Sequence, residues 1–147
     1  MEAKKISVSS NFPATPDEVW SRLTEIKTLQ YIASPYAYFS PLDSDNEFAW
    51  REGMSAQFRL RVFGFVPLGL HTINMIKFSK ENYCILSNEK NASVPIWNHT
   101  IILKPIGDGT THYEDIVEIE AGWKTRIVCI WAKMFYQHRQ KKWLKLL

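Results

Sequence analysis

Two ionisable side chains, His99 and Asp115, fall on strand faces whose other occupants are large and apolar. Read with the two-residue period of a strand, Trp97, His99, Ile101 and Leu103 share one side, while Asn98, Thr100, Ile102 and Lys104 share the other. In the next run Tyr113, Asp115, Val117 and Ile119 alternate with His112, Glu114, Ile116, Glu118 and Glu120, and the side with three glutamates belongs in water. Asp115 therefore points inward with Tyr113 and Val117. A buried carboxylate without partners is too costly to keep, so either a neighbour satisfies it or the interior is a ligand-holding cavity. If the two strands form a hairpin, His99 lies opposite Val117 or one pair removed, and diagonal neighbours of about 7–8 Å let the long side chains of His99 and Asp115 meet. An imidazole oriented by a carboxylate can act as a general acid or base, or grip the polar head of a ligand. The plainer reading is a hydrogen-bonded pair that anchors the sheet, with Tyr113 beside it.

The remaining histidines add no metal chemistry. His71 and His138 stand at unrelated spacings, whereas metal sites place ligands a few residues apart, so neither a metal nor a cofactor is expected. His71 follows Gly69 near a predicted strand start, where turn hydrogen bonding accounts for it. His138 extends an apolar helical stripe by one turn and belongs at its edge. The side chains expected to face a cavity are Phe58, Leu60 and Val62 on one sheet segment, Trp97, His99, Tyr113, Asp115 and Val117 on the hairpin, and Trp131, Met134, Phe135 and His138 on a helix. Pockets are mostly apolar walls with a few convergent polar groups. Six Trp, six Tyr and eight Phe in 147 residues supply more rings than a small core needs.

The elements that must carry these residues are legible in order. Ile6 and Val8 alternate with serines in a first strand ending at Phe12-Pro13. Thr15-Pro16-Asp17-Glu18 then combines a capping threonine, a proline at the first helical position and a glutamate three residues on, which opens a helix at Pro16. A second short helix through Leu29 and Ile32 ends before Pro35. Tyr36 to Glu120 reads as strands and turns, among them Phe58, Leu60 and Val62 alternating with Gln57, Arg59 and Arg61, a break across Phe63–Gly69, strands over His71–Phe78 and Tyr83–Ser87, and a hairpin loop at Gly107-Asp108-Gly109. After Gly122 the period becomes 3.6: Ile127, Ile130, Trp131, Met134, Phe135 and His138 mark one face of a long helix ending near Leu146, with a basic opposite face. The sum is an α+β domain of about six or seven antiparallel strands curved around one long C-terminal helix.

Length and composition fit one domain over residues 1–147. The charged start Met1 to Lys5 leads into a strand-like run, so no export signal is expected; Ile127 to Tyr136, the longest nearly apolar stretch, contains Lys133 and falls short of the ~20 residues of a membrane span. Cys84 and Cys129 lack metal spacing and read as reduced thiols, which with the rest points to a soluble cytoplasmic protein. Trp123 to Leu147 holds seven Lys and Arg and no acid, leaving a net charge of −4 elsewhere. Lys141, Lys142 and Lys145 interleave with Trp143, Leu144, Leu146 and Leu147, a pattern compatible with contact to a membrane surface. No stacking motif accompanies the charge, so nucleic acid is not an expected partner.

The run Phe12-Pro13-Ala14-Thr15-Pro16-Asp17-Glu18-Val19-Trp20 resembles the opening of the START and birch-pollen-allergen superfamily, also called SRPBCC, as does the order of elements. Phe63-Gly64 with Pro67-x-Gly69-x-His71, then Trp97-Asn98-His99, Tyr113-x-Asp115-x-Val117 and Phe135-Tyr136-x-His138-Arg139-Gln140-x-x-Trp143, are similar to a small bacterial branch of it. The resemblance covers nearly the whole chain. It implies a helix-grip fold with a deep cavity between sheet and long helix, holding a hydrophobic or amphipathic small molecule such as a lipid, quinone or polyketide-like compound. It does not imply one chemistry, because the superfamily includes carriers, receptors, cyclases, dehydratases and co-chaperones. The expected partner is therefore a small-molecule ligand, with an enzyme built on His99 and Asp115, or a co-chaperone-like interaction module, as alternatives.

Overall fold

The computed structural model describes residues 3–42 and 48–147; Met1 and Glu2, part of the charged start noted above, and residues 43–47 lie outside the described residues. Strand β1 (Lys4–Phe12) is followed by helices α1 (Pro16–Leu23) and α2 (Ile26–Ala33), then β2 (Ala37–Pro41), β3 (Ser55–Val62), β4 (Val66–Ser79), β5 (Cys84–Asn91), β6 (Val94–Pro105) and β7 (Thr111–Glu120). A single 3-10 turn (Gly122–Lys124) leads into α3 (Thr125–Trp143). All seven strands form one antiparallel sheet in the order β1-β7-β6-β5-β4-β3-β2. Each strand from β2 onward is hydrogen-bonded to its sequence neighbour, and β1 closes the far edge against β7. The two short helices and α3 cover one face, which is the helix-grip α+β architecture.

Local chemistry explains the boundaries. The Thr15 hydroxyl accepts the Glu18 amide at 3.2 Å, capping α1 with proline in its first turn. Pro35 stops α2. The β3–β4 turn needs a left-handed backbone at Phe63 and Gly64, with φ of +54° and +81°. It occupies only Phe63 to Phe65, so β4 begins at Val66, earlier than the break predicted through Gly69. A bulge absorbs the difference: Leu60 pairs with Gly69 but Arg61 with Pro67. His71 consequently sits inside a strand and not at its start. The β6–β7 hairpin places His99 directly opposite Val117.

Helix α3 is rotated relative to the predicted stripe. Its buried residues are Thr125, Ala132, Phe135, Tyr136, Arg139, Gln140 and Trp143, whereas Ile127, Ile130 and Met134 are exposed. The apolar stripe is a poor guide because the sheet surface under this helix carries buried polar groups, His99 and Asp115 among them, and Arg139 and Gln140 turn toward them. One cation of this basic helix, Arg139, is thus buried in the core. Lys142 is half-buried over the Tyr31 ring, with its ammonium 4.1 Å from the centroid. Trp143 is fully buried against Phe12 and Tyr113, and Leu146 and Leu147 pack on the core, so much of the apolar half of the C-terminal pattern is committed inward. Among the described residues no helix is long and apolar enough to cross a membrane.

Candidate functional site

Between the sheet, α2 and α3 lies a cavity of about 470 Å³. Its walls are largely apolar: Leu29 and Ile32 from α2, Leu60 and Val62 from β3, Ile73 and Met75 from β4, Ile85 from β5, Trp97 and Ile101 from β6, and Trp131 and Phe135 from α3. One region of the lining is different. Strand alternation places His71, Ser87, Glu89 and His99 on the same inner face of three adjacent strands, and α3 lays Tyr136 and Arg139 over them.

These groups form a buried network. His71 Nε2 stands 2.8 Å from Glu89 Oε1, and the Ser87 hydroxyl donates to Glu89 Oε2 at 3.3 Å. His99 Nδ1 faces the same Oε2 at 3.8 Å, while its Nε2 is 2.6 Å from Asp115 Oδ1. Asp115, 1% exposed, also accepts from Tyr113 Oη at 3.4 Å and Gln140 Nε2 at 2.9 Å. Gln140 ties the network to β1, donating to the Val8 carbonyl at 2.7 Å and accepting from Ser10. Trp97 Nε1 donates to Tyr136 Oη at 3.1 Å, and the Arg139 guanidinium lies 5.0 Å from the centre of the Tyr136 ring.

The electrostatics follow from burial and pairing. Burial pushes the Glu89 carboxyl up, but the His71 hydrogen bond and charge, with His99 and Arg139 nearby, outweigh it and hold the group below the usual range. Burial, reinforced by the Glu89 carboxylate, raises Tyr136 well above the ordinary phenol value, and burial together with Asp115 does the same for Tyr113. Both hydroxyls keep their protons. Burial disfavours the Arg139 cation, yet Asp115, Tyr113, Tyr136 and Glu89 more than compensate and raise its pKa. Among the described residues no group of three or more carboxylates, imidazoles and thiols is arranged to hold a metal ion.

Of the residues singled out in the sequence, Leu60, Val62, Trp97, His99, Trp131 and Phe135 line this cavity. Asp115, Tyr113 and Val117 lie behind that lining, in the layer between the sheet and the last turns of α3. Phe58 is fully buried among Phe39, Phe48 and Trp50 and is not itself part of the lining. Met134 is half exposed on the outer side of α3, because the helix is turned toward Arg139. His138 stacks on Tyr36 at 4.6 Å between ring centres and binds the Ser34 carbonyl at 2.7 Å, fastening α3 to the end of α2. No site role for Glu89 follows from the sequence, and Tyr136, Arg139 and Gln140 enter only in the motif that carries the resemblance. Extending the alternation of Ile85 and Ser87 by two residues puts Glu89 inside, but the predicted strand stops at Ser87, whereas β5 runs on to Asn91. Arg139 stands four residues after Phe135, on the same helical face.

This architecture is shared widely. A Chromobacterium violaceum protein superimposes with a TM-score of 0.75 at 16% identity, covering 97% of this chain and 95% of its own. Norcoclaurine synthase from Thalictrum flavum, in complex with dopamine and hydroxybenzaldehyde, gives a TM-score of 0.70 at 13% identity over 98% of this chain and 86% of the other. A START superfamily protein from Mycobacterium smegmatis gives 0.67 at 13% identity over 96% and 94%. At such identities the likeness is one of fold: the chain has the helix-grip fold that these proteins, one of them a START superfamily protein, also have. The sequence matches none of the curated proteins. Residues 10–146 match the family model described as Domain of unknown function (DUF8410), and the chain belongs to that family.

Proposed function

We propose that this protein binds a hydrophobic or amphipathic small molecule between the sheet and α3, without transforming it. The observation that carries the reading is the cavity itself, about 470 Å³ of mostly apolar wall with a polar cluster gathered in one region. That volume falls in the range of small-molecule sites, and the mixture of walls and polar groups is the one such sites use. The cavity-facing residues of the binding site are then Leu60, Val62, Trp97, His99, Trp131 and Phe135, with Asp115 supporting His99 from behind. Norcoclaurine synthase, of similar fold, is in complex with two small aromatic molecules, and this supports a ligand in the same general size class.

A second reading, acid–base catalysis by His99 with Asp115, is favoured by the 2.6 Å contact between a cavity-lining imidazole and a carboxylate. Against it, the other ring nitrogen faces the Glu89 carboxylate at 3.8 Å, which competes with a substrate for that edge. Native mass spectrometry of the purified protein should reveal a bound compound, and a solvatochromic dye such as Nile red should bind and be displaced by it. Replacing Leu60 with Trp should abolish dye binding; unchanged binding would overturn the cavity reading. Incubating the extracted compound with fresh protein separates the two functions. An unchanged mass supports binding, whereas a product whose formation disappears in His99→Ala would establish the enzyme.

A further inference from the structure

The donors and acceptors in the polar region of the cavity do not balance. Glu89 and Asp115 supply four carboxylate oxygens, and these are taken by His71, by Ser87 with His99 nearby, by His99 with Tyr113, and by Gln140. Asn91 is satisfied by the Leu68 and Leu70 carbonyls and the Ser93 amide, and Lys124 by the Ser93 carbonyl. What remains around Arg139 is mostly on the donor side, where Trp131 Nε1 in the same lining is also unpartnered. Tyr136 Oη receives the Trp97 N–H and has no acceptor for its own proton among the described residues. Arg139 is only 6% exposed, yet its Nε has no partner, and none of its N–H groups meets an acceptor among the described residues. A guanidinium carries five donors in a fixed fork, and leaving them unpaired inside a protein is costly. Arg139 and Tyr136 adjoin each other, with the guanidinium stacked near the ring, and both line the cavity.

We infer that Arg139 and Tyr136 receive the oxygen acceptor, a carbonyl or carboxylate, at the polar end of an otherwise apolar ligand. The inference rests on the cavity-binding reading above and specifies which end of the ligand goes where. The oxygen seats against the guanidinium fork and the phenol proton, and the apolar body extends along Leu60, Ile73 and Trp131. A head that only donates hydrogen bonds meets carboxylate oxygens that each already accept one, whereas an acceptor meets donors that have no partner. The opposing features are His71 Nδ1 and, elsewhere in the lining, Glu25 Oε2, both buried without a hydrogen-bond partner among the described residues, which can accept from a ligand. An ammonium head therefore provides the competing outcome.

The test is displacement of Nile red from the full chain by four matched probes: decanoate, methyl nonyl ketone, decylamine and decane. At least one of the two oxygen-bearing probes should act at about tenfold lower concentration than decane, the factor expected for a hydrogen bond to a charged group. Tyr136→Phe and Arg139→Gln should remove most of that advantage while leaving decane unchanged. Equal potency of all four probes, a clear preference for decylamine, or an undiminished oxygen preference in a folded Tyr136→Phe would each overturn the inference. The probe series needs only wild-type protein, and Tyr136→Phe retains the ring, so the result does not depend on whether Arg139→Gln folds. If no probe displaces the dye, the cavity-binding reading itself falls; if all displace it equally, only the assignment of Arg139 and Tyr136 falls.

Discussion

Asp115 presents two oxygens to three donors, His99 Nε2, Tyr113 Oη and Gln140 Nε2, and so links β6, β7 and α3 at one point. Removing the carboxylate strands all three donors in the interior. Asp115→Ala should cost about 3–5 kcal/mol, the range for breaking a buried charged network by deleting one partner. Asp115→Asn, which keeps the shape, should cost less. Urea unfolding with an unchanged slope checks both. Glu89 makes a complementary prediction in pH. Its folded pKa lies below the ordinary value of 4.5, so it adds stability that is fully present above that value. This contribution is lost as pH falls from there through the folded pKa. Stability measured across that acid range should fall more steeply for wild type than for Glu89→Gln, and parallel curves would show that Glu89 does not contribute this linkage. Asp115 was legible in the sequence because three glutamates fix the wet face of β7. Glu89 was not, because its strand carries Ser87, Asn88, Lys90 and Asn91 around it, and composition concealed the alternation that burial obeys.

Helix α3 shows what periodicity can and cannot tell about an element. Its existence and approximate length followed from the change of period after Gly122, as the start of α1 followed from Thr15 and Pro16. Its rotation did not, because a stripe of apolar residues marks the buried face only where the opposing surface is apolar too. Here β6 and β7 offer His99 and Asp115, and the helix answers with Arg139 and Gln140 while Ile130 and Met134 go outside. Two alanine substitutions on this helix test the rotation. Trp143→Ala removes a fully buried ring packed on Phe12 and Tyr113 and should cost about 3–5 kcal/mol. Met134→Ala, taken from the centre of the predicted stripe, should change stability by less than about 0.5 kcal/mol. The opposite order in thermal or chemical unfolding would restore the original helical face.

At the scale of the molecule, the cavity belongs to no single segment. It needs strands β2 to β6, the cover of α2 and the inner face of α3 together, so the sequence could point to inward-facing polar groups but not to the space before them. An open interior has an energetic consequence: its lining lacks part of the packing that a solid core would supply, and an occupant restores it. A ligand that binds only the folded state stabilises it by mass action, by about 2.7 kcal/mol at one hundred times its Kd. For a chain of this length each kcal/mol corresponds to roughly 2–4 °C of Tm. The compound recovered from the protein, or the best of the displacement probes, should therefore raise the wild-type Tm by several degrees in a concentration-dependent manner. Leu60→Trp, which fills the same space from β3, should show no such response while unfolding cooperatively in its absence. An equal rise in both proteins would place the binding on the outer surface, since only an internal ligand competes with a side chain for the cavity.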